Sequence, residues 1–170
     1  MNSRVWLASS LSASALLCVS FPSSGQTAFP KEGNIAATII FQVIVKKVAM
    51  GEEYIQYIAE AKNGVVSNKP GEFGDRLTGQ CVGTLRLIKG KLDTELGSCE
   101  FLDLAGDKFY SSYTQFPDGE TLKEKHTLIG GTGRYAGITG AMEGVREIHR
   151  PRAEGDLAGS VRWTGFYKLP

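Results

Sequence analysis

Glu124 and His126 stand two apart in a run that reads as extended, so they share one face of a strand. A carboxylate beside an imidazole is the simplest pair able to act as general acid and base. Arg146 follows Gly140, Met142 and Gly144 on one face of the next extended run. His126, Glu124 and Arg146 are therefore the weak candidates for catalysis, on condition that all three point into a common interior. The plainer reading of the Glu124/His126 spacing is two half-exposed polar side chains with no role. His149, beside Arg150 and Pro151, falls at a strand end, where solvent is the expected partner.

Other chemistries find little support. Two histidines and three cysteines make no metal-ligand set of ordinary count. No cofactor motif is visible. No serine stands in G-x-S-x-G; Ser111 and Ser112 lie between aromatic residues on a strand. The stretch Leu128–Gly144, LIGGTGRYAGITGAMEG, invites a phosphate-loop reading and fails it on spacing. From Gly131 it runs G-T-G-R-Y-A-G, one residue too long for G-x-G-x-x-G, and no Gly-Lys-Ser/Thr follows. Its flanks are strand-like, so no helix N-terminus is offered to an anion. Gly130, Gly131, Gly133, Gly137 and Gly140 are read as structural: strand, one tight helical turn at Arg134–Ala136, strand.

The elements that would position these residues are β-strands. The chain has 170 residues with 21 glycines and 6 prolines, a composition that suits many turns around one core. Residues 1–28 read as a secretory signal: Arg4, then an apolar and small run to Phe21, then Pro22–Gly25, with cleavage expected at about 25–28. Serines make that run a poor membrane anchor, and no later stretch could span a membrane as a helix. Removing Arg4 leaves 18 basic against 18 acidic residues, and no basic stripe argues for nucleic acid. Residues 29–170 form one domain, expected in the periplasm or secreted.

The run IAATIIFQVIVKKV after Gly33 is rich in β-branched residues and apolar on both faces, which calls for barrel packing or a covered outer side. Gly51 breaks it, Glu53–Lys62 is a second strand, Asn63-Gly64 is a turn signal, and Val65–Gly74 is a loop. The clearest alternation follows, with Leu77, Gly79, Cys81, Gly83, Leu85 and Leu87 on one face. Lys89-Gly90-Lys91 turns the chain into a return strand over Leu92–Leu104. With the hairpin centred on Gly90, residues whose numbers sum to 180 lie opposite, so Cys81 meets Cys99. Cys18 leaves with the signal, and an even pair in an oxidising compartment predicts one disulfide. The same register sets Glu95 against Leu85 and Asp93 against Leu87, a conflict of acids with an apolar face. It resolves if both lie beyond the buried sheet or if a bulge shifts the register.

Asp103 and Asp107 flank the turn Ala105-Gly106 without a calcium ladder, so turn chemistry is their expected role. Lys108–Phe116 has two aromatic faces, Pro117-Asp118-Gly119 is a turn, and Glu120–Ile129 is the strand carrying Leu122, Glu124, His126 and Leu128. Ile138–His149 follows the glycine turn, Pro151 and Gly155 bound a loop, and Asp156–Leu169 closes the chain with Leu157, Val161, Trp163 and Tyr167 on one face. About eight antiparallel strands with short turns predict an all-β closed barrel.

The segment Ile129–Tyr135, followed by Ala136–Gly140, resembles the G-G-T-G-[KR]-[YF]…G hallmark of dirigent-like and allene oxide cyclase-like barrels. More closely, the chain looks like small exported bacterial proteins of that class, which carry a cysteine strand like Gly79–Gly83 and a G-x-C-x-x-x-D-x-x-G-D run like Gly97–Asp107. The resemblance covers about Gly33–Leu169 and implies an eight-stranded antiparallel barrel, often oligomeric in relatives. It implies no activity: plant allene oxide cyclases act on a fatty-acid epoxide, dirigent proteins steer radical coupling, and no catalytic side chain aligns.

Tyr113, Met142 and Trp163, with Phe109 and Leu85, are expected to line the lumen. Tyr135 either touches ligand at the mouth or packs down as a plug. Inward glycines at 79, 83, 140, 144, 159 and 165 leave room that aromatics could fill instead. Three functions follow: an exported barrel binding a small apolar or aromatic molecule in or at its mouth, a cyclase- or isomerase-like enzyme acting on a hydrophobic substrate, or a filled, partner-binding oligomer meeting its copies through Ile39–Val45.

Overall fold

The computed structural model describes residues 30–149 and 156–170. The expected signal over 1–28 and the loop bounded by Pro151 and Gly155 lie outside the described residues. Eight strands follow in order: β1 (Glu32–Ala49), β2 (Tyr54–Ser67), β3 (Leu77–Ile88), β4 (Lys91–Leu102), β5 (Lys108–Asp118), β6 (Thr121–Gly131), β7 (Thr139–Ile148) and β8 (Asp156–Lys168). One 3₁₀ turn, Gly133–Tyr135, stands between β6 and β7. Each strand pairs antiparallel with the next, and β8 pairs with β1, so the sheet closes into the expected barrel.

Local turn chemistry misleads at two places. Asn63-Gly64 is no turn: both residues pair with β1, Asn63 with Phe41 and Gly64 with Ile40. β1 is 18 residues long and holds its partner in register as far as Ser67, which outweighs the local preference. The loop accordingly starts after Ser67 and not at Val65. Pro117 belongs to β5, beyond Gln115, where the β4–β5 ladder ends, so its missing N–H costs no bond on that side.

The acid conflict in the β3–β4 hairpin is resolved by a bulge at Arg86/Leu87. It sets Leu87 against Leu92 and sends Asp93 outward to Arg86. Glu95 keeps its place opposite Leu85 and is buried. Cys81 pairs with Cys99 and the two form a disulfide, with Cα atoms 4.0 Å apart.

The interior has two halves. At the end holding the glycine turn, Phe73 from the β2–β3 loop stacks on Tyr167 at 4.6 Å and meets Phe109 at 5.1 Å. Tyr135, fully buried, packs edge-on against Phe109 and closes that end. The turn is pinned by both aspartates. Asp103 Oδ1 accepts the backbone N–H groups of Ala105 and Asp107, and its other oxygen pairs with Arg134 at 2.6 Å. Asp107 accepts the N–H of Arg134 at 3.1 Å, and a Cβ on Gly133, at φ 50°, would strike that carboxylate. Outside, the apolar residues of β1 stay exposed, Ile40 at 57% and Ile44 at 70%.

Two outcomes test this account. Protein made under oxidising conditions should gain two hydrogens in intact mass on reduction, and Cys81→Ser with Cys99→Ser should cost about 3 kcal/mol in denaturant unfolding. Two free thiols in the oxidised protein would refute the bridge. Gly133→Ala should cost about 2 kcal/mol, since it forces a side chain into left-handed backbone against Asp107.

Candidate functional site

The other half of the interior is ionic. Alternation on β6 turns Glu124 and His126 inward, where they are buried instead of half-exposed. β5 brings Ser111, Tyr113 and Gln115 to the same interior, β4 brings Glu95, β7 brings Arg146 and β8 brings Trp163. Register lines up the acids: Glu95 is opposite Gln115, and Gln115 is opposite Glu124. Next in that row comes Gly144, whose missing side chain leaves Glu124 its place; a Cβ there would also meet Val161 and Trp163. Arg146, two residues further along β7, reaches back over this gap.

Its guanidinium joins the carboxylates. Arg146 Nη1 donates to both oxygens of Glu95 at 3.3 Å, and Nη2 donates to Glu124 at 3.2 Å. Its flat face lies over the ring of Phe41 at 4.9 Å. Glu124 also accepts from Trp163 Nε1 at 2.6 Å and His126 Nε2 at 3.2 Å. An ionised carboxylate only accepts, so Nε2 of His126 carries a hydrogen. Nδ1 of that ring meets the Ser111 hydroxyl at 3.0 Å, and the ring stacks on Tyr113 at 5.4 Å. Tyr113 donates its hydroxyl to Glu95 at 3.4 Å.

The two carboxylates differ in acidity. Burial raises Glu95 above the ordinary carboxylate value; Arg146 opposes this without cancelling it. Burial would raise Glu124 as well, but the hydrogen bond and charge of His126, the charge of Arg146 and the Trp163 N–H hold it at about 2. Gln115 is 2% exposed, and neither its amide nitrogen nor its amide oxygen finds a partner among the described residues. The Nε of Arg146 likewise finds none.

A cavity in this half is lined by Phe41, Glu95, Tyr113, Glu124, Arg146 and Trp163, among others. The space open to the centre of a water molecule is about 40 Å³. Pockets that enclose whole ligands run to about 300–1,000 Å³. The room beside the inward glycines is therefore taken: Phe101 covers Gly79, the Tyr113 hydroxyl covers Gly83, and Phe41 covers Gly159. Toward the β3–β4 hairpin, Val45, Tyr57, Leu85, Leu122 and Leu157 form a half-buried apolar collar.

Of the residues singled out in the sequence, His126, Glu124, Arg146, Tyr113 and Trp163 come together at this cavity. Met142 is buried opposite His126 and does not line it; Tyr135 lies at the closed end. Glu95 was missed as a site residue; its signal was the conflict with an apolar face.

No protein-family model matches the chain, and no curated protein does. Among solved structures, the chain is similar to the pterocarpan synthase dirigent protein GePTS1 at a TM-score of 0.51 and 11% identity, over 83% of this chain and 88% of that one. It is also similar to the pterocarpan synthase dirigent protein PsPTS1 at a TM-score of 0.46 and 13% identity, over 83% and 98%. At such identity the first likeness shows the fold alone.

Glu124→Gln should cost about 3 kcal/mol at pH 7, because it leaves Arg146 buried with half its charge unmet. Glu124 is depressed from the ordinary 4.5 to about 2, so its stabilising contribution is whole above about 4.5 and fades as pH falls toward 2. In urea unfolding the gap between variant and wild type should therefore narrow between pH 5 and pH 3. An equal gap at both pH values would contradict the assignment.

Proposed function

We propose, from the premise of a dirigent-like β-barrel, that this protein binds a small, largely apolar molecule at the β3–β4 hairpin end of the barrel. The molecule sets a polar head on the Glu95–Arg146–Glu124 cluster and leaves its body at the collar of Val45, Tyr57, Leu85, Leu122 and Leu157. One observation carries the reading: Arg146 lines a cavity in the ionic half, and its buried Nε finds no partner among the described residues. A buried ion cluster is a poor way to gain stability, since packed apolar residues of similar volume serve as well or better. Buried polar atoms without partners add a further cost and call for an explanation. The 40 Å³ cavity supports a head group inside and the remainder outside. The Cys81–Cys99 bridge supports an oxidising compartment, periplasmic or extracellular.

The split acidity of the carboxylates favours a second reading, an acid–base enzyme of cyclase or isomerase type. Two carboxyl groups pushed apart in pKa are the usual sign of an acid paired with a permanently ionised partner. Glu95 would carry the proton, and Glu124 would hold Arg146 and His126 in place. In that case activity on a hydrophobic substrate falls as pH rises through the raised pKa of Glu95, and Glu95→Gln abolishes it.

The binding reading is tested by native mass spectrometry of the full chain recovered from its own export compartment, and by saturation-transfer NMR with 4-ethylphenol. A copurified small molecule, or saturation transfer lost in Arg146→Leu, is the expected result. No copurified mass and no transfer from 4-ethylphenol would sink it.

A further inference from the structure

On the outside of the barrel, β2 complements itself when reversed. Alternation turns Ile58, Glu60, Lys62 and Gly64 outward, and all four are exposed. Register extends this face to both sides: Ile44 of β1 and Val82 of β3 lie opposite Glu60, and Leu96 of β4 follows Ile58 through Thr84. Ile44 is 70% exposed, Val82 55%, Ile58 53% and Leu96 51%. Exposed apolar residues scattered singly need no partner, but these are diagonal neighbours on one sheet.

The charges on this face name its occupant. Glu60 accepts from the Gln80 amide at 2.8 Å, and neither Glu60 nor Lys62 makes an ion pair among the described residues. Lay a second copy antiparallel on this face, with a two-fold axis crossing β2 at Ala61. Lys62 then stands over Glu60 of the partner subunit. Ile58 stands over Gly64 of the partner subunit, a position where an added Cβ meets nothing within 4 Å. Leu96 shares a row with Ile58 and Leu102 with Gly64, so Leu96 meets Leu102 of the partner subunit. The axis makes each of these contacts twice. A lipid surface selects basic residues around an apolar patch. Here both signs alternate along one strand, in the order that a reversed copy of the strand matches.

We propose that this protein pairs with a second copy of itself through the outer face of β1–β4, about a two-fold axis at Ala61. The Glu60 and Lys62 charges fix the register of the pair, because complementary charges give specificity more than affinity. Ile58 over the Gly64 gap and the leucines beside it supply apolar burial. The pairing leaves the interior site untouched, since none of these side chains lines its cavity.

Sedimentation equilibrium of the full chain, over a range of concentrations at one ionic strength, tests the pairing. A monomer–dimer equilibrium is the expected result. Lys62→Glu should weaken it about tenfold or more, because it sets a like charge over Glu60 of the partner subunit. Glu60→Lys should do the same. The double variant, Glu60→Lys with Lys62→Glu, restores opposite charges across the axis and should recover the dimer to within about threefold of wild type. Gly64→Leu fills the gap and should weaken the dimer as much as Lys62→Glu does. The monomer tolerates that change, since Gly64 is outside left-handed backbone and has open space at its Cβ. A chain that stays monomeric at every concentration, or an oligomer of another order, overturns the proposal. So does a dimer that keeps its affinity in Lys62→Glu or Gly64→Leu, or a double variant no tighter than either single one.

Discussion

A closed sheet gives each side chain two destinations, and alternation along the strand decides between them. The rest of this structure depends on that constraint. β4 cannot place Cys99 and Phe101 in the core without placing Glu95 there as well, because all three share one parity. β6 cannot bury Leu128 without burying His126 and Glu124. The barrel therefore had to assemble a polar interior from several strands at once. Arg146 makes this tolerable, since a lone carboxylate at either position would have to protonate or stay unpaired. The bulge at Arg86/Leu87 is the one local escape from parity in that hairpin, and it spares Asp93 alone.

The division of the interior follows from where the chain can afford a turn without hydrogen-bond partners. At the closed end the Asp103 and Asp107 carboxylates satisfy the backbone of two turns and hold Arg134, and Tyr135 is driven into the core beside them. At the opposite end the inward apolar side chains among the described residues are only half-buried. Under the binding reading, an aromatic floor beneath an ionic middle and an apolar rim would hold a molecule by one end. Burial from below fixes the side chains of the middle layer, and preorganisation of that sort lowers what binding must spend on ordering.

How much of this was legible in the residues can be argued case by case. Parity and strand order were legible, because Leu77–Leu87 alternates cleanly and short turns leave few topologies. The opposition of Cys81 and Cys99 came from counting about Gly90 alone. The bulge could not be placed: the acid conflict signalled an irregularity, but either side of the hairpin could have absorbed it. Asn63-Gly64 misled because turn propensity is local, whereas strand length is set by the partner across the sheet. The lumen misled for a related reason. Glycines mark where a side chain is missing, but Phe101 and Phe41 reach those gaps from neighbouring strands. The convergence of Glu95, Glu124 and Arg146 depends on closure across four consecutive strands, β4 to β7, which no single-strand pattern contains.

The seam between β1 and β8 has a consequence for how the chain reaches this state. Tyr167 donates to the carbonyl of Pro30 across 137 residues of sequence, and Glu32 pairs with Lys168 beside it. A chain made from its N-terminus offers β1, with apolar residues on both faces, before its second neighbour exists. Contacts so distant in sequence are slow to form, because a long loop must close before any of them stabilises the fold. Every hairpin from β2 to β7 can assemble without β8, yet none of them makes a barrel. The final strand acts as a clasp, and until it engages, one edge of β1 remains open to pairing with any other strand it meets.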